Sequence, residues 1–169
     1  MRLSLDRYQS PIGTILLATD EAGILRALDF EEYEPRMRRL LQLHYGEVTL
    51  TAGKAPAALR RALDAYFAGD LSAFDALAVA TGGTAFQRKV WALLRGIKPG
   101  TTLSYGALAA QLGQPGASRA VGLANGANPI GIVVPCHRVI GSGGRLTGYA
   151  GGLARKRWLL DHEGARVRD

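Results

Sequence analysis

Residues 101–129 read TTLSYGALAAQLGQPGASRAVGLANGANP. Ser104 stands where a helix N-cap would, and a short apolar-periodic stretch carrying Leu108 and Leu112 follows it. The GQPGA run at 113–117 interrupts that helix, since proline lacks the amide hydrogen a helix needs. Ser118 is placed to cap a second helix, RAVGLANG. Two short helices joined by a glycine-bearing turn predict a helix-turn-helix, whose second helix would meet DNA. That helix is smooth. Ala120, Gly122, Ala124 and Gly126 are small, and Arg119 is its one long basic side chain. Small residues let a helix backbone approach a surface closely, with Arg119 as the probe. A plain helical hairpin in a core, with Arg119 on a solvated edge, fits the same residues, and on this stretch alone both readings stay open.

Charge separates the chain around that motif. Residues 1–80 carry nine Lys and Arg against eleven Asp and Glu, a net of −2; residues 81–169 carry twelve against three, a net of +9. The excess positive charge of the whole chain therefore lies in the half that holds the helix pair. A polyanion partner, most simply nucleic acid, is the reading this favours over a merely solubilising surface. With 47% hydrophobic and 21% charged residues the chain is an ordinary globular composition, and no apolar run approaches the ~20 residues of a membrane helix. The N-terminal stretch carries Asp6 and no signal-peptide apolar core. A single cysteine excludes an intrachain disulfide, and the chain reads as cytosolic. His44, His137 and His162 are too scattered to suggest a metal cluster.

Upstream of the seam, TGGT at 81–84, the chain reads as a small sheet with helices. LSLDRYQS and GTILLATD alternate as strands around a Pro11-Ile12-Gly13 turn, and a third strand follows the turn at 21–23. One helix is expected with Met37, Leu40, Leu41 and His44 on one face and Gly46 as its stop; a second carries Leu59, Leu63, Tyr66 and Phe67. This half shows no catalytic constellation. Past the seam, Thr84 and Gln87 form a capping box for a helix with Phe86, Val90, Leu94 and Ile97 on one side, ended by Pro99-Gly100. The last helix carries Leu153, Trp158, Leu159 and Leu160 and stops at Gly164, and its Arg155-Lys156-Arg157 run is a basic cluster, usually a solvated face, that here adds to an already positive half.

Downstream of the helix pair lies NPIGIVVPCHRVIGSGG, residues 128–144, with Cys136, the only cysteine, between Pro135 and His137. A thiol is mostly protonated at neutral pH, so a nucleophilic cysteine needs a base or positive surroundings. His137 and Arg138 supply both types. A histidine base needs an orienting acceptor, and among Asp161, Glu163 and Asp169 the choice is Glu163, at the end of the last helix. A buried inert cysteine beside a capping histidine is the rival reading. With no second thiol, disulfide cycling within the chain is closed. A thioester formed at Cys136 would be released by water, whereas a thioether would not, and a protein forming one would act once.

PCHRVI at 135–140, with RAVGLANGANP at 119–129 and GYAGGLARKRWLLDHEG at 148–164, closely resembles the O6-alkylguanine–DNA alkyltransferases. The resemblance is strong over residues 86–164 and looser before that. It implies a ribonuclease H-like α/β domain over 1–80, and over 81–169 a mostly helical domain with a winged-helix-like helix-turn-helix. The implied activity is direct-reversal DNA repair, in which one alkyl group moves irreversibly from O6-alkylguanine, with O4-alkylthymine as a further candidate, to Cys136. His137 would activate the thiol through a water, Glu163 would orient His137, and Asn128 would brace the turn. Arg119 would fill the space left by the flipped base. Ser118, Ala120, Gly122 and Ala124 would lie with it along the minor groove. Tyr105 would help rotate the nucleotide and hydrogen-bond the leaving guanine. The main chain around Cys136 and Val139 would read the exocyclic amine, and Tyr149, with Lys156 beside it, would wall the pocket that follows Pro135. The implied partner is duplex DNA with alkylated bases, met by a monomer, with no cofactor and no metal.

Three departures accompany the resemblance. Some relatives bind a structural zinc through cysteines in the first half, which this chain lacks. Many carry serine at Ala150, leaving here only a main-chain N–H for the guanine oxygen. Some have proline at Gly131, so one pocket wall is expected to be more open. The sister group that binds damaged DNA with tryptophan for the cysteine is disfavoured by Cys136. Two rivals remain: a non-catalytic DNA-damage-binding or regulatory helix-turn-helix protein, and a cysteine hydrolase on a small acyl substrate.

Overall fold

β1 (Arg2–Ser10) and β2 (Gly13–Thr19) pair antiparallel across the predicted turn, with Ser10 opposite Gly13. β3 (Leu25–Phe30) continues the sheet antiparallel to β2, and β4 (Thr49–Ala52) lies parallel to β1, giving the order β3-β2-β1-β4. The sequence reading missed β4, a mostly exposed four-residue edge strand whose alternation through Val48 and Leu50 is short. β2 reads ILLA at 15–18 because both faces of the sheet are covered there. Leu16 and Ala18 pack with Leu3, Ala27, Met37 and Leu41, the last two from α1 (Glu34–Tyr45). In α2 (Ala57–Phe67), Leu59, Leu63 and Tyr66 are buried, and Asp64 accepts a 2.6 Å hydrogen bond from the Tyr8 hydroxyl of β1. The computed structural model describes residues 1–167. It divides into two units, Met1–Gly83 and Thr84–Asp169.

The second unit begins with α3 (Ala85–Arg95). Thr84 caps it, and both halves of the Thr84–Gln87 capping box are made. Val90, Trp91 and Leu94 are buried, and the helix ends at Arg95, four residues before the Pro99 expected to stop it. β5 (Leu103–Ser104) leads into α4 (Tyr105–Gln111), where the Ser104 hydroxyl accepts from the Ala107 amide at 3.0 Å. After the turn comes α5 (Ser118–Gly126), completing the helix-turn-helix. The cap differs from the prediction. Ala117 takes the N-cap position, Ser118 is already helical, and no side chain caps this end.

β6 (Val139–Ile140) pairs parallel with β5, and α6 (Leu153–His162) closes the unit. Leu159 and Leu160 of α6 are buried as expected, while Leu153 is 49% exposed in its first turn. The basic run is not a solvated face throughout: Lys156 is fully buried. The unit thus has a mostly helical frame with a two-stranded ribbon, and the first unit a mixed sheet with helices. No helix among the described residues is long and apolar enough to cross a membrane.

Candidate active site

The segment between α5 and β6 is shaped by tight turns. Val133 N donates to Gly131 O at 2.7 Å around Ile132, whose φ of 67° is the one positive value at a non-glycine residue among those described. A β-branched residue there stores strain of order 1–3 kcal/mol, so the surroundings must hold it. Asn128 does so: its Nδ2 donates to Val134 O at 2.8 Å and its Oδ1 accepts from Ile130 N at 3.0 Å. Pro135 makes the next tight turn, with Cys136 N donating to Val134 O at 2.8 Å. Cys136, His137 and Arg138 then form one 3-10 turn. Three residues per turn send the three side chains in three directions.

Cys136 is 5% exposed and lines a cavity of about 390 Å³ together with Tyr105, Gly122, Asn125, Gly126, Gly148, Tyr149 and Ala150. His137 is fully buried, its ring edge-on to Tyr149 at 6.4 Å between centroids. Its Nε2 lies 2.9 Å from Glu163 Oε2, and its Nδ1 has no hydrogen-bond partner in the protein. A carboxylate accepts, so Nε2 carries the hydrogen and Nδ1 presents a lone pair. Burial pushes the imidazole pKa below its ordinary value and outweighs the Glu163 bond that raises it. Burial alone would raise the Glu163 carboxyl; hydrogen bonds from His137 and Arg138 prevail and hold it well below the carboxylate range.

Arg138 corrects the sequence reading, which had it supply positive charge to the thiol. Its Nε and Nη2 donate to the two Glu163 oxygens at 2.9 Å each, and its Nη1 donates to Ile97 O at 2.6 Å. The guanidinium is a buried clamp on the carboxylate that holds the imidazole. The cation near the thiol is Lys156. Its Nζ donates to Val139 O at 2.7 Å, Thr147 O at 2.9 Å and Gly148 O at 3.3 Å, tying the 141–152 loop to β6. Burial brings its pKa down to about 8, against the attraction of Cys136, which raises it.

Gly100 sits behind this centre with φ +85°, and a Cβ built on it would lie 3.0 Å from Glu163 O. Gly100→Ala is expected to cost about 1–2 kcal/mol from the left-handed backbone alone and to push the Glu163 main chain away. A urea-unfolding midpoint for the variant checks the first effect, and the rate at Cys136 the second.

Comparison with known proteins decides the family. Residues 85–165 match the model described as 6-O-methylguanine DNA methyltransferase, DNA binding domain, and residues 6–81 match its ribonuclease-like domain. A methylated-DNA–protein-cysteine methyltransferase of Salmonella typhimurium is 54% identical over 97% of each chain, and one of Methanosarcina acetivorans is 46% identical over 94% of this chain and 96% of its own. The crystal structure of Mycobacterium tuberculosis O6-methylguanine methyltransferase, 46% identical, superposes with a TM-score of 0.80 over 96% of this chain and 93% of that one. That of Mycobacterium tuberculosis OGT in complex with DNA, 43% identical, also gives 0.80, over 98% and 95%. The chain belongs to the 6-O-methylguanine DNA methyltransferase family.

Within this methyltransferase the other expected site residues fall unevenly. Tyr105 lines the cavity, and its hydroxyl lies 3.2 Å from Thr147 Oγ1. Gly122 faces the Tyr105 ring and lines the cavity too. On α5, Arg119 and Ala120 are exposed, but Ala124 is buried beneath Trp91, whose Nε1 donates to Ala124 O at 2.8 Å, so Ala124 cannot lie in a groove. The exposed side instead carries Leu123, at 74% exposure. Tyr149 and Ala150 form cavity wall as expected. Pro135, Val139 and Lys156 are buried, and Gly131 is taken up by the turn at Ile132. Sequence reasoning missed Asn125, Gly148 and the clamp role of Arg138. Asn125 had a signal: it lies four residues from Val121 and so shares the inner face of α5.

Proposed function

We propose that the protein repairs alkylated DNA by direct reversal, moving the alkyl group from O6 of guanine, and in the wider reading O4 of thymine, to the sulfur of Cys136. The observation that carries this is the buried His137–Glu163 pair directly following the buried, cavity-lining Cys136, with the bare Nδ1 of His137 turned away from Glu163, in the same unit as the helix-turn-helix. His137 Nδ1 takes the thiol proton through a water. The thiolate attacks the alkyl carbon, the S–C bond forms, and the C–O6 bond breaks with its electrons passing to the purine. Tyr105 donates a hydrogen bond to the leaving base and Ala150 N–H serves O6, which stabilises the departing anion. The anion then takes a proton at N1 from water, and His137 gives the thiol proton back to water, so neutral guanine and neutral imidazole are restored. Tyr149 walls the alkyl group, and Asn128 keeps the acceptor segment in shape. Water does not cleave the thioether, so one molecule performs one transfer.

The partner is DNA. Residues 1–80 act as scaffold, and residues 81–169 carry recognition and chemistry. Arg119 enters the stack from the minor groove, with Ser118, Ala120 and Gly122 allowing close approach. The protein works as a monomer, in the cytoplasm, without metal or cofactor. A non-catalytic DNA-binding protein would leave the buried thiol, imidazole and carboxylate without a task. The test is stoichiometry. With a several-fold excess of duplex containing O6-methylguanine, one equivalent of guanine is expected to be restored and the reaction then to stop; continued turnover would be hydrolase or cofactor-regenerated chemistry.

A further inference from the structure

The carbonyl oxygen of Cys136 accepts two hydrogen bonds within the protein itself. The Val139 N–H closes the 3-10 turn onto it, and Asn125 Nδ2 donates to it from α5 at 3.3 Å. A carbonyl oxygen has two lone pairs, so both are engaged. Asn125 is buried, lines the same cavity as the thiol, and leaves its own Oδ1 without a hydrogen-bond partner. A buried unpaired amide oxygen is costly, and an apolar side chain of the same size would avoid it. What distinguishes asparagine here is the donor it places on the Cys136 carbonyl.

This inference rests on the function proposed above and on the reading the resemblance implies, that the 2-amino group of guanine meets the main-chain carbonyls of Cys136 and Val139. We propose that Asn125 is a specificity-determining residue that competes with the 2-amino group for the Cys136 carbonyl, so that this protein reads the amine weakly and accepts alkylated purines lacking it. Binding of the amine to that oxygen must displace Asn125 Nδ2. The exchange gains one hydrogen bond and strands another donor, for little net change. The Val139 carbonyl offers only its second lone pair, since Lys156 Nζ holds the first at 2.7 Å. A 3.3 Å bond is long enough to yield, so the amine is tolerated without being selected.

The experiment uses two duplexes identical except for O6-methylguanine or O6-methylhypoxanthine, which lacks the 2-amino group, and compares second-order rate constants of methyl transfer. The parent protein is expected to favour the guanine duplex by less than about fivefold, the worth of one net hydrogen bond. Asn125→Leu frees the Cys136 carbonyl, and the preference is expected to rise by about fivefold. Asn125→Ala, which removes the donor without filling the space, should raise it likewise. A structural role for Asn125 would slow both duplexes alike and leave the ratio unmoved, and an unmoved or falling ratio in the variants overturns the proposal, as does a strong preference in the parent. A parent protein that transfers methyl from neither duplex overturns the function itself; one that repairs both with a ratio indifferent to Asn125 overturns the inference alone.

Discussion

Glu163→Gln is expected to slow alkyl transfer by about 10²-fold or more, the range of a lost general base, and to destabilise the fold by about 3–5 kcal/mol, the range for one partner removed from a buried ion pair. Both effects come from one carboxylate. Its Oε2 receives His137 Nε2 and Arg138 Nη2, and its Oε1 receives Arg138 Nε. Glutamine retains one acceptor, turns an NH2 toward donors, and leaves the buried guanidinium uncompensated. Without the carboxylate the imidazole loses its fixed tautomer, and Nδ1 is no longer held as a bare lone pair. The two effects separate if the rate is taken at a temperature where circular dichroism shows the variant folded. His137→Ala should slow transfer comparably, and the double variant should be little worse than the slower single, because residues acting as a unit are not additive. The pH dependence has a definite sign. A carboxyl held below its unfolded pKa contributes stability in full above the ordinary carboxylate range and loses it as pH falls through the depressed value. The parent should therefore weaken on acidification below about pH 4, and Glu163→Gln should lack that component.

Arg119→Ala is expected to slow repair of duplex DNA by about tenfold or more, with reaction of free O6-benzylguanine nearly unchanged. Arg119 is exposed at the start of α5, beside Ala120. It is the long side chain there that can occupy a vacated stack. Unstacking and unpairing a base costs a few kcal/mol, and losing about 1.4 kcal/mol of compensation is tenfold in rate. A free base needs no flipping. Tyr105→Phe should instead slow both substrates, because Tyr105 lines the cavity with Cys136 and its hydroxyl is the group proposed above to serve the leaving base. An Arg119→Ala variant equally slow on the free base would mean that Arg119 supports the pocket rather than the extruded base.

How legible each part was in the sequence follows from its length scale. The Thr84–Gln87 capping box, the Ser104 cap and the buried Met37–Leu41 face depend on neighbours within one or two helical turns, and all were readable. Glu163 was chosen because few acids share its half of the chain, and it lies 2.9 Å from His137 Nε2. Arg138 misled because adjacency in sequence suggested adjacency to the thiol, whereas a 3-10 turn fans neighbours apart. The burial of Lys156 was hidden in the run itself, because three basic residues together usually form a solvated face. The spacing of Lys156 to Leu159 and Leu160, three and four residues on, already placed it on the buried side. β5 and β6 are two residues each, too short for any periodicity to show. The strained turn at Ile132 depends on Asn128 closing a loop on itself, which no local propensity encodes.

The central claim, that the sulfur of Cys136 itself receives the alkyl group, is tested most directly by intact mass. The protein is mixed with one equivalent of duplex carrying O6-methylguanine, weighed, and digested to locate any adduct. The expected result is a single added methyl on every reacted molecule, mapped to the peptide containing Cys136, with guanine restored in the DNA. Unmodified protein beside repaired DNA, or a methyl group on any other residue, would contradict it.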